Sequence, residues 1–170
     1  GTALAYRNLP EGPDLRLKAH DIRQKTIANL DIVLETLVAN IRKNGGQVFF
    51  AHDADAALDY CLATARRHQV KLAVKGKSMV SEEIGLNTAL IGAGIEVAET
   101  DLGEYIIQLA GERPSHIIAP AIHKSRKDIG SLFADKIRIP YTDDPPSLTQ
   151  AARKALREKF LAADMGFSGC

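Results

Sequence analysis

Residues 72–90, LAVKGKSMVSEEIGLNTAL, and 94–126, GIEVAETDLGEYIIQLAGERPSHIIAPAIHKSR, decide the fold. Leu72–Lys75 and Ile95–Ala98 are short apolar runs, and each ends in a turn dense with ionisable side chains. Both are followed by helical spacing: Val80 to Ala93 as one apolar helix, then Leu102, Tyr105, Ile106 and Leu109 on the inner face of a shorter one. His116 to Ile122 is predicted as a further strand, with a helix after it carrying Ile129, Leu132 and Phe133. Strands alternating with helices of this length give a parallel sheet with right-handed crossovers, and continuous apolar runs suit strands covered on both faces. The stretch therefore predicts a three-layer α/β parallel-sheet domain.

Upstream, Gln47 to Ala51 reads as a strand, and Ala57, Leu58, Cys61, Leu62 and Ala65 share one helical face. Asp14 to Asn44 has the pattern of a long N-terminal helix, with Leu30, Val33, Leu34, Leu37, Val38 and Ile41 on one stripe and Gly45–Gly46 as its stop. Residues 1–13 hold Pro10, Gly12 and Pro13 without apolar periodicity and are expected to be an extended arm, leaving 14–170 as a single domain. Downstream, Asp144–Pro145 is an N-cap followed by a residue suited to the first helical position, opening a helix expected to bury Leu148, Ala152, Ala155, Leu156 and Phe160. The final LAADMGFSGC runs into a small-residue turn and stops where a βα chain is expected to supply another strand. A domain truncated at its C-terminal end is expected, and an unpaired sheet edge would favour self-association of the fragment.

With 22 basic and 21 acidic residues in 170, the field of the whole molecule does not recruit nucleic acid or an acidic membrane. No apolar run reaches the ~20 residues of a membrane span and no secretory core opens the chain, so a cytoplasmic protein is the simplest expectation. Cys61 and Cys170 form no C-x-x-C pair, and Cys61 lies on an apolar helical stripe, as a buried inert thiol would. The basic group Arg153, Lys154, Arg157 and Lys159 lacks aromatic partners and reads as a solvated face rather than a nucleic-acid site. Gly92-Ala93-Gly94 joins a helix to a strand, the reverse of the order a phosphate loop needs, and reads as a helix C-cap.

Ligands of open α/β sheets bind outside the carboxyl ends of the strands, where helix N-termini supply free N–H donors. Three turns qualify. In the first, Lys77 and Ser78 can hold a carboxylate or phosphate, although Ser78 or Ser81 can equally serve as an N-cap. In the second, Asp101 reads as the N-cap of a capping box, and Glu104 and Gln108 form a row facing either solvent or the crevice. In the third, His123 follows a strand end beside Lys124 and is the best candidate general base, the alternative being a local hydrogen bond while Ser125 caps a helix with Asp128. His20, His52 and His68 read as surface residues and His116 as a core-edge one; no two histidines stand at metal-ligand spacing, so no metal is expected in this fragment. The turns at Lys77, Glu104 and His123 are expected to converge on one pocket, because parallel strands present their carboxyl ends on one side.

Several of these pieces carry a resemblance. Lys77-Ser78-Met79-Val80 with Glu82-Glu83-Ile84-Gly85-Leu86-Asn87, the run Glu99 to Leu109, and Pro114-Ser115-His116 through Lys124 resemble the lactate-utilisation (LUD) domain, as in the N-terminal part of the iron-sulfur lactate-utilisation protein B family. The resemblance extends from about Asp21 to Gly169. It implies a fold similar to ribose-phosphate isomerases and CoA transferases. It also implies a non-autonomous subunit of a three-protein system that oxidises L-lactate to pyruvate, with electron transfer through [4Fe-4S] clusters outside this fragment. Implied partners are the other subunits and a small carboxylate substrate, with Lys77, Ser78 and Lys124 as anion-binding residues and His123 and Glu104 as catalytic ones. Two further readings stand beside it: a group-transfer domain for a phosphosugar or CoA-like anionic metabolite with Glu104 as nucleophile or base, and a protein-docking scaffold.

Overall fold

The computed structural model describes residues 8, 9, 11–115 and 118–169. Most of the expected N-terminal arm, together with His116 and Cys170, lies outside the described residues. The chain divides into two compact units, residues 1–50 and 51–170.

The first unit consists of two helices, α1 (Gly12–Ala28) and α2 (Leu30–Lys43), where the sequence pattern predicts one. The break falls at Asn29, whose side chain donates to Lys25 O at 2.8 Å while its φ and ψ, −126° and 33°, leave the helical region. Asparagine offers the backbone a local alternative to the helix ladder, and here that alternative wins. Gly45 (φ 81°) closes α2 as expected. Residues 47–51 form no strand, and Phe49 and Phe50 are exposed. Apolar alternation specifies a strand only where a sheet edge receives it, and the described ladders join other segments.

The second unit carries α3 (Ala54–Arg67), β1 (Leu72–Lys75), α4 (Met79–Glu83), α5 (Leu86–Gly92) and β2 (Glu96–Glu99). After these come α6 (Leu102–Ala110), α7 (Arg126–Lys136), α8 (Pro145–Ala162) and β3 (Met165–Phe167). The described sheet has the order β2-β1-β3, with both pairings parallel. Ala73 and Val97 pack with Leu86, Leu90 and Ala65 in one core, joined by Met165 and Phe167 of β3. The alternate residues Val74 and Ala98 are buried as well, with α6 against β2 and α8 against β1. The second core, Tyr105, Ile106, Phe133, Leu148 and Ala152, binds α6, α7 and α8 together. The domain is α/β, a parallel sheet with both faces covered.

Three local expectations change. The helix predicted over Val80–Ala93 is split by Gly85, whose φ of 71° only glycine adopts at little cost. The predicted strand His116–Ile122 has its first two residues outside the description, and the rest is a turn that exposes Ile118 and Ile122. Ser115 donates to Pro120 O from both its N–H (3.2 Å) and its hydroxyl (2.9 Å), a closure that an extended chain cannot make. The expected terminal small-residue turn instead contains β3. Asp164 anchors it: the carboxylate accepts from the N–H groups of Lys71 (2.8 Å) and Leu72 (3.0 Å), and its own N–H donates to Leu72 O. The last helix buries Leu148 and Ala152 but leaves Phe160 exposed.

Candidate functional site

The register of the sheet builds the site. Lys75 and Glu99 end adjacent parallel strands as direct Cα partners, so their side chains leave the sheet together. Both are buried, and Lys75 Nζ lies 3.0 Å from Glu99 Oε1. The same ammonium donates to Ser81 Oγ (3.1 Å), while Asn87 Nδ2 donates to Glu99 Oε1 at 2.6 Å. Glu99 Oε1 therefore accepts twice, whereas Glu99 Oε2 and Asn87 Oδ1 are buried without a partner. An unsatisfied buried acceptor costs about 1–3 kcal/mol, so this arrangement demands a donor.

Glu99, Asn87 and Ser81 line a cleft of about 380 Å³, with Glu104, Glu112 and Arg113 on its other walls. Glu104, on the first turn of α6, is 5% exposed, and Asp101 caps that turn by accepting from the N–H groups of Gly103 and Glu104. Asp101 is thus the expected cap, while the Glu104 side chain turns inward. Burial pushes the Glu104 carboxyl above the usual range, Glu82 and Glu99 add to the effect, and Lys77 and Lys75 oppose it. Among the described residues, Arg113 makes no ion pair.

Gln108, predicted only to share a row with Glu104, faces the sheet. Its amide accepts from Glu99 N–H (3.1 Å) and donates to Val97 O (2.7 Å). A single side chain thus satisfies two outward backbone groups of edge strand β2, as a neighbouring strand would.

The three residues expected to bind an anion each have a protein partner. Ser78 Oγ caps α4 by accepting from Ser81 N–H at 3.2 Å. Lys77 Nζ donates to Ile118 O (3.1 Å), and Lys124 Nζ pairs with Glu112 Oε1 (2.6 Å). His123 lies between Ser115 Oγ and Glu112 Oε2, each at 2.8 Å. The serine–histidine–carboxylate order evokes nucleophilic catalysis, but the Ser115 hydroxyl donates to Pro120 O and its hydrogen is not aimed at the imidazole. The arrangement is a clamp that ties Glu112 and Ser115 to His123 and Lys124. Hydrogen bonds from Lys124, then His123, hold the Glu112 carboxyl below its usual range. Of the three expected turns, the one at Glu104 lines the cleft; Lys77 and His123 are not among the lining residues, and His123 touches it through Glu112.

Sequence reasoning missed Lys75, Asn87, Glu99 and Arg113 as site residues. A signal was present for two of them: Lys75 and Glu99 are ionisable residues directly after the apolar pairs Ala73-Val74 and Val97-Ala98, at the strand ends that the paired sheet buries.

With this geometry the sequence profile of the LUD domain matches residues 34–170. The chain belongs to the LUD domain family. Proteins named lactate utilization protein B from Bacillus cereus strain AH820, Bacillus thuringiensis strain Al Hakam and Bacillus anthracis strain A0248 are each 49% identical to it over 150 residues, or 88% of the chain. The chain spans 32% of the length of these relatives. No solved structure matches the chain significantly. No described helix of this LUD chain is long and apolar enough to cross a membrane.

The residues do not fit an iron-sulfur cluster. The chain contains two cysteines, fewer than the four thiolates of a [4Fe-4S] site, and Cys61 is free, with burial raising its thiol pKa. Among the described residues, no three of His, Cys, Asp and Glu gather as metal ligands.

Proposed function

We propose that this LUD chain is the substrate-holding part of a subunit of a lactate-utilisation system that oxidises L-lactate to pyruvate. The observation that carries the reading is the 49% identity over 150 residues to proteins named lactate utilization protein B. Any [4Fe-4S] cluster of such a system would be bound by protein outside these residues. The role of this chain is then confined to binding, orientation and proton transfer, and the other subunits are its partners.

The cleft supports a division of roles. Oxidising a 2-hydroxy acid requires a group that takes the hydroxyl proton, and a carboxyl with a raised pKa at the cleft wall is suited to that task. Glu104 is the proton acceptor in this reading, with Glu99 and Asn87 as acceptors that orient the substrate. His123 acts on the cleft indirectly, by fixing Glu112 through the clamp.

The test is lactate-dependent reduction of the full-length protein with its partner subunits. Reduction by L-lactate that is lost in Glu104→Gln, with an unchanged thermal midpoint, supports the reading. A full-length protein that L-lactate never reduces in the presence of all partners overturns it.

A further inference from the structure

The Lys75–Glu99 pair leaves a specific deficit at the cleft floor. Glu99 is 4% exposed, and Lys75 and Asn87 both donate to its Oε1. Its Oε2 and the neighbouring Asn87 Oδ1 receive nothing from the protein. Two adjacent acceptors without donors select a ligand group that donates, since a carboxylate or phosphate oxygen placed there would leave the deficit and add repulsion. Charge narrows the choice further. Lys75 already balances Glu99, so the floor does not require a cation, and a neutral hydroxyl can share its one hydrogen between the two acceptors without burying a further charge. Arg113 lines the same cleft and makes no ion pair among the described residues, although Glu82, Glu104 and Glu112 share the lining. A guanidinium pairs with a carboxylate through parallel N–H donors. The cleft, about 380 Å³, suits a small molecule carrying both groups.

We propose that the cleft binds a small 2-hydroxy carboxylate with its one hydroxyl hydrogen shared between Glu99 Oε2 and Asn87 Oδ1 in the resting complex, before that proton passes to Glu104, and with its carboxylate held by Arg113. The proposal rests on the lactate reading for the reaction but assigns the binding residues independently of it. It places the anion on Arg113, outside the Lys77–Ser78 turn.

Isothermal titration calorimetry on the full-length protein tests it with four probes: L-lactate, D-glycerate, propionate, which lacks the hydroxyl, and lactamide, which lacks the charge. Either hydroxy acid is expected to bind about tenfold or more tightly than both propionate and lactamide, the cost of one charge-assisted hydrogen bond. Arg113→Gln should remove the advantage over lactamide, and Asn87→Ala should shrink the advantage over propionate. The comparison of ligands on the unsubstituted protein keeps the test valid if Asn87→Ala fails to fold. Propionate binding as tightly as the hydroxy acids overturns the proposal. So does the absence of binding by all four, which means that water supplies the missing donors. If D-glycerate binds with the expected Arg113 and Asn87 dependence while L-lactate does not, the site assignment stands and the lactate reading fails. Lactate-dependent reduction that is indifferent to Arg113→Gln gives the reverse outcome.

Discussion

The Lys75–Glu99 pair ties stability to the site. A buried pair is not by itself a strong source of stability, because desolvation offsets much of the attraction, but removing one partner strands a charge in low dielectric. Lys75→Ala is therefore expected to cost about 3–5 kcal/mol, seen as a marked fall in the urea midpoint. The double variant Lys75→Met, Glu99→Gln should recover part of that loss, and a single variant as stable as the parent would show that water reaches Glu99. Glu104 behaves oppositely. Its folded pKa lies above the unfolded one, so its contribution to stability is favourable below the unfolded pKa and is lost as pH rises toward the folded pKa. Glu104→Gln should leave the thermal midpoint at neutral pH equal or higher, flatten its dependence on pH above the ordinary glutamate range, and lower activity by about 100-fold or more. A lower midpoint at neutral pH would make the residue structural. These side chains were partly legible in sequence. Glu104 stood out in a charged turn, but its inward aim depends on α6 packing over β2, which no local pattern encodes.

At the scale of elements, the short helices and strand ends follow rules visible in sequence. Asp53, Ser78, Asp101, Ser125 and Asp144 each cap a helix with a side-chain oxygen. Less visible are elements specified from a distance. β3 has three residues and a central glycine, and Asp164 holds it through backbone groups of residues 71 and 72. Hydrogen bonds from Leu72 and then Lys71 keep the Asp164 carboxyl below its usual range. The stability it contributes is present above the unfolded pKa and lost as pH falls through the folded one. Asp164→Asn should therefore remove part of the acid sensitivity of the midpoint and speed amide exchange in β3. The side chain of Gln108 standing in for a strand is likewise invisible to periodicity, which only distinguishes polar from apolar. Gln108→Glu cannot donate to Val97 O and should destabilise more than Gln108→Ala; the opposite order would mean that the edge of β2 is solvated.

At the scale of the molecule, the α/β class was readable because the short apolar runs Leu72–Lys75 and Ile95–Ala98 alternate with stretches of helical spacing. The segments that misled, residues 47–51 and the described part of the other, 118–122, are also apolar, and what they lack is a place in the described sheet rather than a strand-like composition. That distinction bears on solution behaviour. Within the first unit, α2 buries no residue, and Leu30, Val33 and Leu37 recur on one face with 46%, 40% and 51% of their surface exposed. If this stripe drives self-association, a second copy covers it. Sedimentation velocity over a tenfold range of concentration should show reversible self-association of the isolated chain, and Val33→Lys with Leu37→Lys should shift it to monomer without changing the thermal midpoint of the second unit. Burying two such side chains contributes about 1.5–3 kcal/mol each, enough for the double substitution to move the dissociation constant by two orders of magnitude or more. Association that survives both lysines would place the interface elsewhere, at the outer edge of β3, where strand pairing rather than helix packing would drive it.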